Sequence, residues 1–327
     1  MNLSLMLFLF TMIVGTTVSI SSSEWIIMWI GLEVNLMSFI PIMKTSSSPY
    51  ESEASMKYFI VQAMASTLLM MAVLLMEMNT QPMWAITLMT ALFLKMGAAP
   101  FHIWYPGVMQ GLSWENCVIL MTWQKIAPMI MISYLMVNTL MTSIIVTMCV
   151  IAGAVGTMNQ TSLRKLMAYS SISHLGWLIM SMLMSNYYWV LYFTLYSTVT
   201  IVTVTIFWSM SIFHMSQIMN KKMESKTKIV LFSSILSLGG MPPFTGFIPK
   251  WIMIQNMISS ENYIMIMIMV MSTLITLYAY LRMSYSAFSL SNEGLYWQMP
   301  EFNKSVMFMS MAATLLGIPI IGVVSMP

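Results

Sequence analysis

The sequence predicts an all-α, polytopic membrane protein with about eleven transmembrane helices. Three observations predict it. Of 327 residues, 59% are hydrophobic and only 7% charged. Apolar runs recur from one end to the other, far too often for a signal peptide or a single anchor, and each approaches the roughly 20 residues that span a hydrocarbon core. The connections between runs are short, and no stretch is long or polar enough to form a soluble domain.

Set against their breakers, the runs place helices near 3–21, 24–43, 54–77, 82–104, 112–136, 138–158, 163–184, 187–215, 228–257, 262–288 and 304–325. Charge then sorts by loop. Even-numbered connections carry Lys44 and Lys57, then Arg164 and Lys165, then Lys221, Lys222, Lys226 and Lys228, with Arg282 and Lys304 flanking the last. Odd-numbered connections carry Glu24, Glu77 and Glu261 and no lysine or arginine. The positive-inside rule puts the N-terminus on the cytoplasm-like side and, by the odd helix count, the C-terminus opposite. The run KKMESKTK is the longest polar segment; it suits a solvated loop that sets topology, with lipid or partner binding as the alternative.

The chain forms a single transmembrane domain, 1–327, with an internal repeat. GAAPF at 97–101 recurs as GMPPF at 240–244, each after an apolar half-helix and each near a lysine, Lys95 before the first and Lys250 after the second. The expected helix breaks are Gly97 and Pro100 in the first, and Gly239, Gly240, Pro242 and Pro243 in the second. The two segments lie five predicted helices apart, and a five-helix repeat reverses its orientation in the membrane. This gives repeat one over about 1–136, repeat two over about 138–288 and a final helix over about 304–325, an inverted-repeat transporter pattern with two discontinuous helices. Coincidence between two short strings is the alternative.

Five ionisable residues stand away from helix ends: Glu33, Lys95, Lys125, His174 and Lys250. At 1.5 Å per residue they sit roughly 14 to 20 Å deep, near the bilayer centre. A charge there costs about 2.5 to 3.5 kcal/mol, so five uncompensated ones would exceed a typical net stability of ~5 to 15 kcal/mol. They must face water, one another or freed backbone groups. Glu33 and Lys95 could simply be packing partners, and His174, in SSISHLGW, could be a neutral imidazole bonded to the next helix. A break, however, frees carbonyls and N–H groups that solvate a lysine in either protonation state. Lys125, in TWQKIAP, lies just before Pro128, and Lys95 and Lys250 adjoin the broken segments. A row of switchable bases at mid-membrane suits a proton relay. The chain has no phosphate-cradling Gly-rich loop, no dinucleotide fingerprint and no cysteine cluster, so nucleotide binding and redox chemistry are not expected in it. The two isolated cysteines, Cys117 and Cys149, make no metal site.

The ordered strings WIGLEVNLMSFIP, SEASMKYFIVQA, LKMGAAPFHIWYP, LMTWQKIAP, NQTSLRKLMAYSSISHLGW and SLGGMPPFTGFIPKW resemble, over nearly the full length, the chain 2 family of mitochondrial NADH:ubiquinone oxidoreductase, respiratory complex I. The resemblance implies an antiporter-like membrane-arm subunit of a machine that couples NADH oxidation and ubiquinone reduction to proton pumping. It implies an ion pair between Glu33 and Lys95, a relay continuing through Lys125, a polar link at His174 and a terminal exit lysine at Lys250. FMN, iron–sulfur clusters and ubiquinone are then expected in partner subunits and none in this chain. The expected partners are neighbouring membrane-arm subunits, including other antiporter-like ones, and membrane lipid, with no nucleic acid. The expected location is the mitochondrial inner membrane, N-terminus in the matrix and C-terminus in the intermembrane space. The 44 methionines fit a mitochondrial code that reads an isoleucine codon as Met, a replacement that apolar helices tolerate. The resemblance implies about three fewer N-terminal helices than bacterial family members have, as in animal versions. A free-standing cation/proton antiporter is the competing class, sharing the fold and lysines without a redox partner.

Overall fold

A computed structural model describes residues 3–44, 48–78, 82–135, 140–220, 225–289 and 304–315. The described residues are helical with no strand, and eight helical spans among them are long and apolar enough to cross a membrane. The chain divides into two compact units, Met1–Val137 and Asn138–Pro327.

The first unit holds α1 (Leu3–Ser21), α2 (Trp25–Met43), α3 (Pro49–Glu77), α4 (Met83–Met96), α5 (Trp104–Gly111), α6 (Trp114–Met121) and α7 (Trp123–Leu135). Helix α3 starts earlier than its apolar pattern predicts. Ser48 accepts a hydrogen bond from the Glu51 backbone N–H at 3.4 Å and Pro49 takes the first helical position. The string SPYE therefore sets the start through capping chemistry. Helix α1 packs on α2. Their crossing is close because Gly15 and Gly31 face it: a Cβ on Gly31 would stand 2.7 Å from the Gly15 carbonyl oxygen. Small residues bring backbones together in this way inside membranes. The predicted 82–104 helix is interrupted after Met96 and resumes as α5, and the predicted 112–136 helix is divided at Thr122.

The second unit holds α8 (Leu140–Met158), α9 (Leu163–Met184), α10 (Asn186–Ser209), α11 (Met215–Asn220), α12 (Ser225–Gly239), α13 (Phe247–Ser259), α14 (Tyr263–Ser289) and α15 (Lys304–Leu315). Helix α9 is its centre, buried on nearly every face and packed against α8, α10, α13 and α14. An all-round buried helix needs small and apolar residues on all sides, and α9 supplies Ala168, Ser170, Ser171, Ser173 and Gly176 among larger ones. Three expectations are corrected here. Lys226 and Lys228 sit in the opening turn of α12 rather than in a loop. The predicted 187–215 helix stops at Ser209, and Met215 opens a separate short helix. Gly239 is the last residue of α12, so the break begins at Gly240. Lys221 and Lys222, and the predicted last helix beyond Leu315, lie outside the described residues.

Candidate proton-relay site

Both breaks are built the same way. After α4, Gly97 turns left-handed at φ 72°, its N–H bonds to the Leu94 carbonyl at 3.2 Å, and the Ala98 N–H bonds to the Phe93 carbonyl at 3.0 Å. After α12, Gly240 is at φ 82°, its N–H bonds to the Ser237 carbonyl at 3.1 Å, and the Met241 N–H bonds to the Leu236 carbonyl at 3.3 Å. This is the Schellman termination, in which glycine adopts at no steric cost a conformation that a side chain resists. Pro100 in the first break, and Pro242 and Pro243 in the second, occupy the turns that follow, where their lack of an N–H prevents the helix from resuming at once.

Each break leaves a carbonyl at the helix end, and each carbonyl finds a polar side chain. In the first unit, Gln62 Nε2 donates to the Lys95 carbonyl at 3.2 Å. In the second, Lys250 Nζ donates to the Gly239 carbonyl at 2.9 Å. Lysines also suit these positions because the carbonyl end of a helix dipole is negative.

In the first unit Lys95 and Lys125, both buried, line one cavity of about 20 Å³ with Asn35, Tyr58, Gln62, Trp104, Tyr105 and Gln124. That volume holds about one water. The Lys125 Nζ lies 5.5 Å from the centre of the Tyr105 ring, a position from which the ring stabilises the amine once it is protonated. Trp104 Nε1 is buried without a hydrogen-bond partner. Asn35 and Gln124 bond to each other twice: Asn35 Nδ2 donates to Gln124 Oε1 at 2.8 Å, and Gln124 Nε2 donates to Asn35 Oδ1 at 3.1 Å. Tyr58 Oη donates to the same Gln124 oxygen at 3.5 Å.

Glu33 is half-buried on α2. A contact ion pair forms at the surface between Lys57 and Glu53, but among the described residues Glu33 and Lys95 make no such contact. Glu33 instead acts on the Lys95 charge through space, and its Oε1 is buried without a hydrogen-bond partner. In the second unit, the buried ring of His174 on α9 shares a hydrogen bond at 2.9 Å between Nδ1 and the Tyr192 hydroxyl of α10. Tyr196 lies 5.0 Å from the same ring, centre to centre. His174, Tyr192, Tyr196, Ser237 and Pro249 line a second small cavity. Its occupants belong to α9, α10, α12 and α13, so the histidine faces the broken helix that carries Lys250.

Sequence reasoning passed over Asn35, Tyr58, Gln62, Gln124, Tyr192 and Tyr196. One signal was available for two of them: Tyr58 and Gln62 are four apart and share a helix face, and both are buried in an otherwise apolar stretch.

The geometry predicts a small stability effect for Lys250→Met. Losing the ammonium leaves the Gly239 carbonyl unpaired, costing about 1 to 3 kcal/mol. It also removes a charge from mid-membrane, worth about 2.5 to 3.5 kcal/mol. The terms oppose, and the thermal midpoint of the purified protein should stay within about 4 °C of the parent.

The chain matches the family described as "NADH:quinone oxidoreductase/Mrp antiporter, TM" over residues 22–82 and 76–276. It is 44% identical over 331 residues to NADH-ubiquinone oxidoreductase chain 2 of Anopheles gambiae, covering 98% of this chain and 96% of that one. It is 42% identical over 321 residues to the chain 2 of Locusta migratoria, covering 95% and 94%. Its fold resembles a chain in the structure of Thermus thermophilus respiratory complex I, with a TM-score of 0.82 at 19% identity, over 98% of this chain and 78% of that one. The chain therefore belongs to the NADH:quinone oxidoreductase/Mrp antiporter membrane family, in its NADH-ubiquinone oxidoreductase chain 2 branch.

Proposed function

We propose that this chain is a membrane-arm subunit of a proton-pumping NADH:ubiquinone oxidoreductase and carries protons through buried lysines while partner subunits carry the electrons. Family membership supports the setting. The observation that carries the chemistry is the cavity that brings Lys95 and Lys125 together inside an apolar helical unit. Two amines beside a site for about one water form a proton path: an ammonium gives a proton to the water oxygen, and the water passes another to the neutral amine opposite. Glu33 biases the charge of Lys95 from a distance. His174 and Lys250 supply the same class of group in the second unit, the first sharing a hydrogen bond with the Tyr192 hydroxyl and the second donating to the Gly239 carbonyl. FMN, iron–sulfur clusters and ubiquinone belong, on this reading, to other subunits. The membrane is the mitochondrial inner membrane, with the N-terminus in the matrix and the C-terminus in the intermembrane space.

A free-standing cation/proton antiporter is the second reading, since the family description includes Mrp antiporters. Mild detergent extraction decides between them. The chain should migrate in one large assembly with flavin- and iron–sulfur-containing subunits. Recovery of the folded chain on its own, without those subunits, would favour the antiporter.

A further inference from the structure

We propose that the Asn35–Gln124 amide pair is a gate on proton transfer between Lys95 and Lys125. The proposal rests on the relay reading above and adds a control element to it. Asn35 is two residues from Glu33 on α2, and Gln124 adjoins Lys125 on α7. The pair therefore ties the helix of the carboxylate to the helix of the receiving lysine. Its two members line the same cavity as both lysines.

The reason a gate belongs here is the sign of the groups around the water site. A proton in transit on a water is stabilised by hydrogen-bond acceptors and opposed by donors. Lys95 presents an ammonium donor, and Trp104 presents a buried indole N–H that has no other partner. Three amide oxygens belong to the lining residues, those of Asn35, Gln62 and Gln124, and two of them, Asn35 Oδ1 and Gln124 Oε1, are withheld. Both are turned on each other's N–H groups, at 3.1 and 2.8 Å, and the Tyr58 hydroxyl is directed at the Gln124 oxygen as well. With the pair closed, two amide oxygens of the lining are withheld from the passing proton. A displacement of α2 against α7 by about 1 Å takes both amide contacts beyond hydrogen-bonding range. The freed amide oxygens then accept from the cavity water.

The transfer itself balances simply. Lys95 loses one proton and becomes a neutral amine, the water accepts that proton and releases another, and Lys125 becomes an ammonium. A buried polar network of this kind has two well-defined arrangements, paired or open, because a half-open state leaves groups unsatisfied at low dielectric. Glu33 shares α2 with Asn35, so whatever moves that helix changes the field at Lys95 and the state of the gate together.

The test uses the assembled complex in sealed vesicles, with passive proton leak and the ratio of protons moved to electrons transferred as readouts. Asn35→Leu removes the shorter of the two hydrogen bonds that hold the Gln124 oxygen, leaving only the 3.5 Å contact from Tyr58; leak should rise about two- to tenfold, the range that one net hydrogen bond holds back, and the ratio should fall. Gln124→Leu releases the Asn35 oxygen in the same way, since that oxygen now accepts from Gln124 Nε2; leak should again rise and the ratio fall. The exchange Asn35→Gln with Gln124→Asn moves one methylene across the pair and should restore both readouts. Parental leak in either single variant would overturn the gate, as would an assembled exchange variant that behaves like Asn35→Leu. Reduced assembly with a normal ratio and leak in the complex that remains would also overturn it, since only packing would then be affected. Lys95→Met, measured in parallel, separates the two levels: a full ratio in that variant sinks the relay, whereas a lowered ratio there with normal leak in Asn35→Leu sinks the gate alone.

Discussion

Gly246→Ala should prevent the assembled protein from accumulating. A Cβ at position 246 would overlap the Ser237 carbonyl oxygen and stand 2.7 Å from its carbon. Both are backbone atoms of α12, so no flexible side chain can move aside. The segment entering α13 would have to lift away, and it carries Lys250, four residues on, off the Gly239 carbonyl that it now reaches at 2.9 Å. Overpacking alone costs about 1 to 3 kcal/mol, and losing a hydrogen bond to a charged group adds about 1.5 to 3. Against a typical stability of ~5 to 15 kcal/mol, this is a large share. Gly107→Ala is the matched control. Its Cβ would meet nothing within 4 Å, and it lies inside α5, where Ala is favoured over Gly by about 1 kcal/mol. Native gels of the two variants should show the complex absent or depleted for position 246 and undiminished for position 107. Equal amounts would mean that the second break does not press against α12 as described.

Much of this architecture was written in apolar patterning. Helices α1, α8 and α9 have bounds close to those their apolar runs predict, because a bilayer-length run has one stable solution. The two GxxPF strings marked both breaks for a local reason, since glycine beyond a helix end followed by proline is a termination signal in any context. Gly239 could not be told from Gly240 that way. Only the conformation shows that the first of the pair completes the helix and the second turns left-handed. The start of α3 was legible in SPYE, but an apolar criterion overlooks a polar cap. Lys95, Lys125 and Lys250 stood out because an isolated charge in an apolar run is costly. Their neutral partners did not. Asn35 and Gln124 are 89 residues apart, and Gln62 reaches a backbone oxygen 33 residues away. No period within one helix reports a contact made across several. Glu33 shows the limit from the other side. Pairing it with Lys95 follows from charge and depth, yet separation in space depends on how α2 and α4 are held, which α3 decides by packing between them.

Lys95→Met is the second large effect, and it falls on transport. Methionine keeps the length and apolar stem of lysine while removing the only group at position 95 that can bind and release a proton. The cavity would keep Lys125, Gln124 and Asn35 but lose the donor opposite them. Proton passage along this path should slow by about 10²-fold or more, the lower range of what a positioned acid–base group contributes. At that rate it would no longer keep pace with electron transfer. The direct measurement is the number of protons moved per electron transferred by assembled complex carrying Lys95→Met, reconstituted into sealed vesicles. A ratio below that of the parent, with the complex intact, is the predicted result. An unchanged ratio would contradict the account.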